Sequence, residues 1–199
     1  MLAWDADGVL LDSEKVAVET ARDILLLVAP QVVGTLGDRF ATCFSRRIQV
    51  EAVGEEAAPI LRGMHRLIMR ARAAKVRAFS EVLPIVTTTV VPQLVVTSAY
   101  EDTVRRGLGE HESAIVDVRG RSCGNKASIL RSCGEVADWV YVTDSPRDIA
   151  TCRECGVGVV VAVTWGYYDS EALTAAEPDR LVSSATDLRR VLVELGTHR

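Results

Sequence analysis

The chain changes its pattern of apolar and polar positions twice. A very short apolar run, Leu2, Ala3 and Trp4, ends in the acidic turn Asp5-Ala6-Asp7-Gly8. From there to about residue 83 apolar positions recur at helical spacing. Residues 14–28 form helix readily and stop at Pro30, Gly34 and Gly37 break the chain, and helical spacing resumes over 40–53 and 57–79. Beyond Pro84 short apolar runs at 94–96, 114–116, 139–142, 157–163 and 181–182 alternate with helical stretches at 100–108, 126–133, 146–155, 170–176 and 187–195. Short strands alternating with helices make βαβ units and a parallel sheet. The expected fold class is α/β, a Rossmann-like parallel-sheet core interrupted by an α-helical insertion. Residues 1–13 and 84–199 belong to the core and 14–83 to the insertion.

In open parallel sheets the chemistry sits beyond the carboxyl ends of the strands. The residues at those ends are consistent in kind. The first run ends at Asp5 and Asp7, the second at Thr97-Ser98 and the fourth at Thr143-Asp144-Ser145-Pro146-Arg147-Asp148, while Lys126 opens the helix after the third. One sheet would therefore carry four acids, two hydroxyls and a lysine to one edge. Asp5 and Asp7 alternate along an extended segment, and Gly8 lets the chain bend so that both serve one site. Clustered carboxylates repel and call for a cation, and hard oxygen ligands suit Mg²⁺, which keeps several waters and bridges to phosphate. A carboxylate nucleophile beside a metal, a lysine and a hydroxyl describes phosphoryl transfer.

Composition narrows the partners. The 199 residues carry 23 Lys and Arg against 27 Asp and Glu, a net charge of −4, so the basic field that holds nucleic acid is missing. No apolar run approaches the ~18 residues of a membrane span, and the start lacks the basic and apolar regions of a signal peptide. The five cysteines are an odd number, scattered, and do not form a secreted disulfide framework. The expectation is a soluble, cytoplasmic protein, monomer or homodimer, without nucleic-acid or membrane partners.

The run Asp5-Ala6-Asp7-Gly8-Val9-Leu10-Leu11-Asp12-Ser13 resembles the first motif of the haloacid dehalogenase-like superfamily. Leu94-Val95-Val96-Thr97-Ser98 is similar to its second motif, Asn125-Lys126 to its third and Thr143-Asp144-Ser145-Pro146-Arg147-Asp148 to its fourth, in family order, and residues 161–166 look like its C-terminal strand. The resemblance implies a Mg²⁺-dependent phosphatase acting on a small phosphate ester through an aspartyl-phosphate. It makes Asp5 the nucleophile and Asp7 the acid and base. Lys126 neutralises charge, Thr97 or Ser98 binds the phosphoryl group, and Asp5, Asp7, Asp144 and Asp148 surround the metal. The insertion resembles the small helical cap of the phosphoglycolate-phosphatase-like branch, and caps of this kind close over small substrates. Thr143 departs from the family, which more often has Gly there.

The acid at position 7 points to phosphatases and phosphomutases rather than dehalogenases. A phosphomutase, sending the phosphoryl group to a second hydroxyl, and a non-catalytic binding protein are the alternatives. A phosphonate hydrolase would want a cap lysine, and the insertion offers only Lys15 and Lys75. Arg46 and Arg47 are candidates for substrate charge, whereas Arg62, Arg66, Arg70, Arg72, Lys75 and Arg77 read as a solvated face. Cys152 and Cys155 lie at the far end of a helix and read as structural thiols. His65, His111 and His198 follow no strand and are expected at the surface.

Overall fold

The computed structural model describes residues 1–198. Its strands are β1 (Leu2–Trp4), β2 (Leu11–Asp12), β3 (Arg77–Ala78), β4 (Gln93–Val96), β5 (Asp117–Arg119), β6 (Val140–Thr143), β7 (Val159–Val163) and β8 (Arg180–Val182). The helices are α1 (Glu14–Val28), α2 (Phe40–Cys43), α3 (Arg46–Ala71), α4 (Leu83–Thr88), α5 (Glu101–Leu108), α6 (Lys126–Ser132), α7 (Pro146–Cys155), α8 (Ser170–Ala175) and α9 (Ala185–Glu194). The chain divides into two compact units, Met1–Asp12 with Arg77–Arg199, and Ser13–Val76.

The first unit is built on a six-stranded sheet in the order β5-β4-β1-β6-β7-β8, parallel throughout. Both faces are covered, so β4 and β6 are buried at every position and are apolar except for Gln93 and Thr143 at their ends. One face packs Ala3, Leu94, Tyr141, Ile149, Val160 and Leu173 into a common core. Tyr141 reaches from β6 past β1 and donates its hydroxyl to the Val96 carbonyl of β4 at 2.8 Å. Small Ala3, paired with both Leu94 and Tyr141, leaves room for that ring.

One expected strand is displaced. The run at 114–116 lies outside the sheet, in which Asp117–Arg119 forms β5 instead. As an edge strand β5 needs only one apolar position; Val118 is buried, while Asp117 and Arg119 pair with each other at 3.1 Å. Val116, the apolar residue that suggested a strand, is 72% exposed.

The insertion also ends earlier than expected. β2 and β3 pair antiparallel, Leu11 opposite Ala78 and Asp12 opposite Arg77, so the chain is back in the first unit at residue 77 rather than 84. Helix α4 consequently belongs to the first unit.

In the second unit α1 and α3 pack around Ala21, Ile24, Leu25, Phe44, Ile48 and Leu61. The expected helix at 40–53 is broken. Ser45 leaves helical geometry and caps α3, its hydroxyl accepting from the Ile48 amide at 3.3 Å. A second break falls at Gly54, whose φ of 81° is left-handed. His65 is not a surface residue. It is buried, with Nε2 3.0 Å from the Ala17 carbonyl and its ring 4.8 Å from that of Phe44. Burial pulls this imidazole below its ordinary pKa, and neighbouring Arg66 and Arg72 act in the same direction. In the first unit His198 is buried too, 2.7 Å from the Thr88 hydroxyl.

Among the described residues no helix is long and apolar enough to cross a membrane.

Candidate active site

β1 ends at Trp4, and the next residue, Asp5, continues the sheet with its amide, which donates to the Val142 carbonyl at 2.9 Å. The chain then turns sharply. The Ala6 carbonyl accepts from Val9, Leu10 and Leu11, and Gly8 takes a φ of 75°. Gly8 is required twice over: its conformation is left-handed, and a Cβ there would overlap the Asp144 carboxylate. Gly166, in the loop after β7, meets the same carboxylate from another side. Two loops thus approach Asp144 at backbone distance.

The sheet brings most of the expected residues together. Asp5 is 6% exposed, with Oδ1 accepting from the Ala6 amide at 2.7 Å and Oδ2 2.7 Å from Lys126 Nζ. Lys126 sits at the start of α6, which Asn125 caps by accepting from Ser128 N at 2.9 Å. Its ammonium also pairs with Asp148 Oδ2. Asp148 in turn accepts from the Thr143 hydroxyl at 3.1 Å. Asp144 is buried and accepts from the Tyr167 amide at 2.6 Å. Asp7 is half-buried beside this group. Thr97 is buried and its hydroxyl accepts from the Ala99 amide at 3.1 Å, whereas Ser98 is exposed. Arg46 and Arg47 belong to the second unit, where they pair with Glu55 and Glu51.

The electrostatics follow from burial. Asp5, Asp144 and Asp148 face one cation, Lys126, so the buried group sets three acids against one base. Burial drives the Asp5 carboxyl well above its usual pKa; Lys126 opposes this and Asp148 and Asp144 add to it. Asp144 is pushed up to about 7, again by burial first, against the Tyr167 hydrogen bond and Lys126. Lys126 is held well above its ordinary value because its two acids outweigh the cost of burying it. Desolvated carboxylates with too little positive charge fit a divalent cation. No three His, Cys, Asp or Glu side chains among the described residues converge on one point. Mg²⁺ needs no such cage, because it keeps several waters and binds through one or two carboxylates.

Three features escaped the sequence reading: the Thr143 hydroxyl bond to Asp148, the Tyr167 amide and the need for Gly166. Only the glycine, three residues past the Val163 end of β7, offered a signal. Cys152 is buried in the core beneath the site, and burial pushes its thiol up, as suits a structural residue.

A parallel sheet in this strand order, with acids following β1 and β6 and a lysine opening α6, defines an α/β protein with a buried cluster of acids and one lysine beside its strand ends. More particularly, the chain has the haloacid dehalogenase-like fold. No protein-family model matches it. It resembles a haloacid dehalogenase-like family hydrolase from Streptococcus pneumoniae with a TM-score of 0.76 and 16% identity, over 96% of this chain and 97% of the other. A haloacid dehalogenase family hydrolase from Deinococcus radiodurans, solved with bound phosphate and sodium, superposes with a TM-score of 0.66 at 17% identity, over 99% of this chain and 96% of that one. In sequence, 67 residues are 37% identical to a phosphoglycolate phosphatase from Synechococcus elongatus. That match covers 34% of this chain and only 31% of the relative's length.

Proposed function

We propose that the chain is a Mg²⁺-dependent phosphatase that hydrolyses a small phosphate monoester through an aspartyl-phosphate on Asp5. The observation that carries this reading is the buried carboxyl of Asp5, held just past β1 by Lys126 within a group of three acids and one base. The Synechococcus relative's name, a phosphoglycolate phosphatase, and the phosphate in the Deinococcus structure support a phosphate-ester substrate, which we take to be a phosphorylated small acid or sugar.

In the first half-reaction an Asp5 oxygen bonds to phosphorus and the ester P–O bond breaks. The Asp7 carboxyl protonates the departing alkoxide. In the second, Asp7 takes a proton from water, whose oxygen attacks phosphorus and returns Asp5 as a carboxylate with inorganic phosphate. Lys126 favours the ionised form of Asp5 against its burial and offsets charge on the phosphoryl oxygens. The buried Thr97 hydroxyl donates to the phosphoryl group, with exposed Ser98 as its neighbour. Asp5, Asp144 and the Asp7 backbone carbonyl would hold Mg²⁺, which supplies positive charge to the phosphate. Since Asp148 Oδ2 already serves Lys126 and Thr143, we assign Asp148 to Lys126 rather than to the metal. The protein would act in the cytoplasm, as monomer or homodimer.

The test is phosphate release from a panel of phosphate monoesters, with and without Mg²⁺, for the native protein and Asp5→Asn. Turnover that requires both the metal and Asp5 is expected. Near-native rates in Asp5→Asn, or silence from folded protein that binds no Mg²⁺, would overturn the reading.

A further inference from the structure

Resting on that reading, we propose that Thr143 is a positioning residue that aims Lys126 at the nucleophile through Asp148. Thr143 is fully buried as the last residue of β6. Its hydroxyl accepts from the Ser145 amide at 3.2 Å and stands 3.1 Å from Asp148 Oδ2. Because the amide proton already occupies one side of the oxygen, the hydroxyl proton is directed to the carboxylate. The branched side chain, held in one rotamer on the strand, fixes that direction.

Asp148 Oδ2 therefore receives two donors, the Thr143 hydroxyl and the Lys126 ammonium, and the pair locks the carboxylate against rotation. Lys126 has a long flexible stem and two anchors, Asp148 and, at 2.7 Å, Asp5. Loosening Asp148 frees the ammonium from the line between its two acids. A glycine, as the resembled motif more often has, offers no hydroxyl here.

Two variants test the tie. Thr143→Val keeps the branched shape without the hydroxyl, and Thr143→Ser keeps the hydroxyl. For Thr143→Val, kcat on a responsive phosphate monoester is expected to fall about tenfold with KM nearly unchanged, because Lys126 acts on transition-state charge. Thr143→Ser is expected to recover most of the rate. A second readout needs no turnover. The chain's three lysines are Lys15, Lys75 and Lys126, and the first two are exposed internal references for reductive methylation followed by peptide mass spectrometry. Relative to them, Lys126 is expected to label several-fold faster in Thr143→Val than in the native protein or Thr143→Ser. Unchanged Lys126 labelling overturns the proposal whatever the kinetics. So does a native kcat in Thr143→Val, or a Thr143→Ser variant as slow as Thr143→Val. If the native protein hydrolyses no monoester, the phosphatase reading fails by itself, and the labelling result alone decides whether Thr143 holds Lys126.

Discussion

Replacing Asp5 by Asn should separate stability from activity in opposite directions. Removing one partner of a buried ion pair ordinarily costs about 3–5 kcal/mol, since the other charge is left alone. Here it is not left alone. Lys126 keeps Asp148, and the buried group falls from three acids against one base to two. Burial already raises the Asp5 pKa well above its usual value in spite of Lys126 at 2.7 Å, so ionised Asp5 opposes folding. A carboxyl raised in the folded state costs stability as pH climbs from its unfolded pKa through its folded one, by about 1.4 kcal/mol per unit of displacement. Asn has nearly the same shape and carries no charge. In magnesium-free buffer near neutral pH, Asp5→Asn should therefore melt above the native protein, with a gain on the order of 1–2 kcal/mol, or ~2–8 °C for a chain of this size. Adding Mg²⁺ stabilises the native protein by mass action and should close the gap, leaving the variant nearly unmoved. Turnover in the variant should fall by about a thousandfold or more, as expected for loss of a nucleophile. Calorimetry in chelator and in Mg²⁺, beside a phosphate-release assay, reads all three. A metal-free Asp5→Asn protein melting several degrees below the native one would show that the Asp5–Lys126 pair is net stabilising, and would refute the argument from buried charge.

Three further outcomes are expected. Gly166→Ala should cost about 1–3 kcal/mol and abolish the Mg²⁺-induced rise in melting temperature, because the new Cβ collides with the Asp144 carboxylate and the Gly8 carbonyl; an unchanged rise would exclude Asp144 as a ligand. Tyr141→Phe should lose about 1 kcal/mol, or ~2–4 °C, through its bond to the Val96 carbonyl, checked by thermal melting. For His65, whose pKa burial lowers, stability is full above the unfolded pKa near 6.5 and is lost as pH falls below it toward the folded value. The native protein should therefore lose more stability in urea between neutral pH and pH near 5 than His65→Phe does, by at most about 1.4 kcal/mol per pH unit. Equal losses would mean that His65 is not held neutral.

Much of this architecture could be read from residue pattern because a parallel sheet is buried on both faces. Its inner strands are mainly apolar, so the runs 94–96, 140–142 and 159–163 announce themselves. The edge strand β5 faces no such demand, and its alternation of Asp117, Val118 and Arg119 looks like loop. The paired segments β2 and β3 are two residues each, too short for any periodicity. Burial of His65 depends on Phe40 and Phe44, which reach it across a loop that no local pattern describes. Among the candidate site residues, Asp5, Lys126, Asp144 and Asp148 meet because they share strand ends or the helix starts beside them. The Thr143 hydroxyl and the Tyr167 amide could not be foreseen, since which oxygen a hydroxyl or an amide meets depends on loop conformation rather than on residue type.

The small ribbon of β2 and β3 has a consequence for how such a chain diverges. Asp12 and Arg77 face each other across it, so everything between them hangs from two points one strand spacing apart, ~5 Å. A segment whose ends already meet imposes no strain on its host, and each doubling of its length adds only about 0.6 kcal/mol of closure entropy. A tight turn, a few helices or a whole foreign module would leave the register of the six parallel strands untouched. By this closure argument the register of the sheet, and with it the acidic rim, does not depend on what the inserted segment contains.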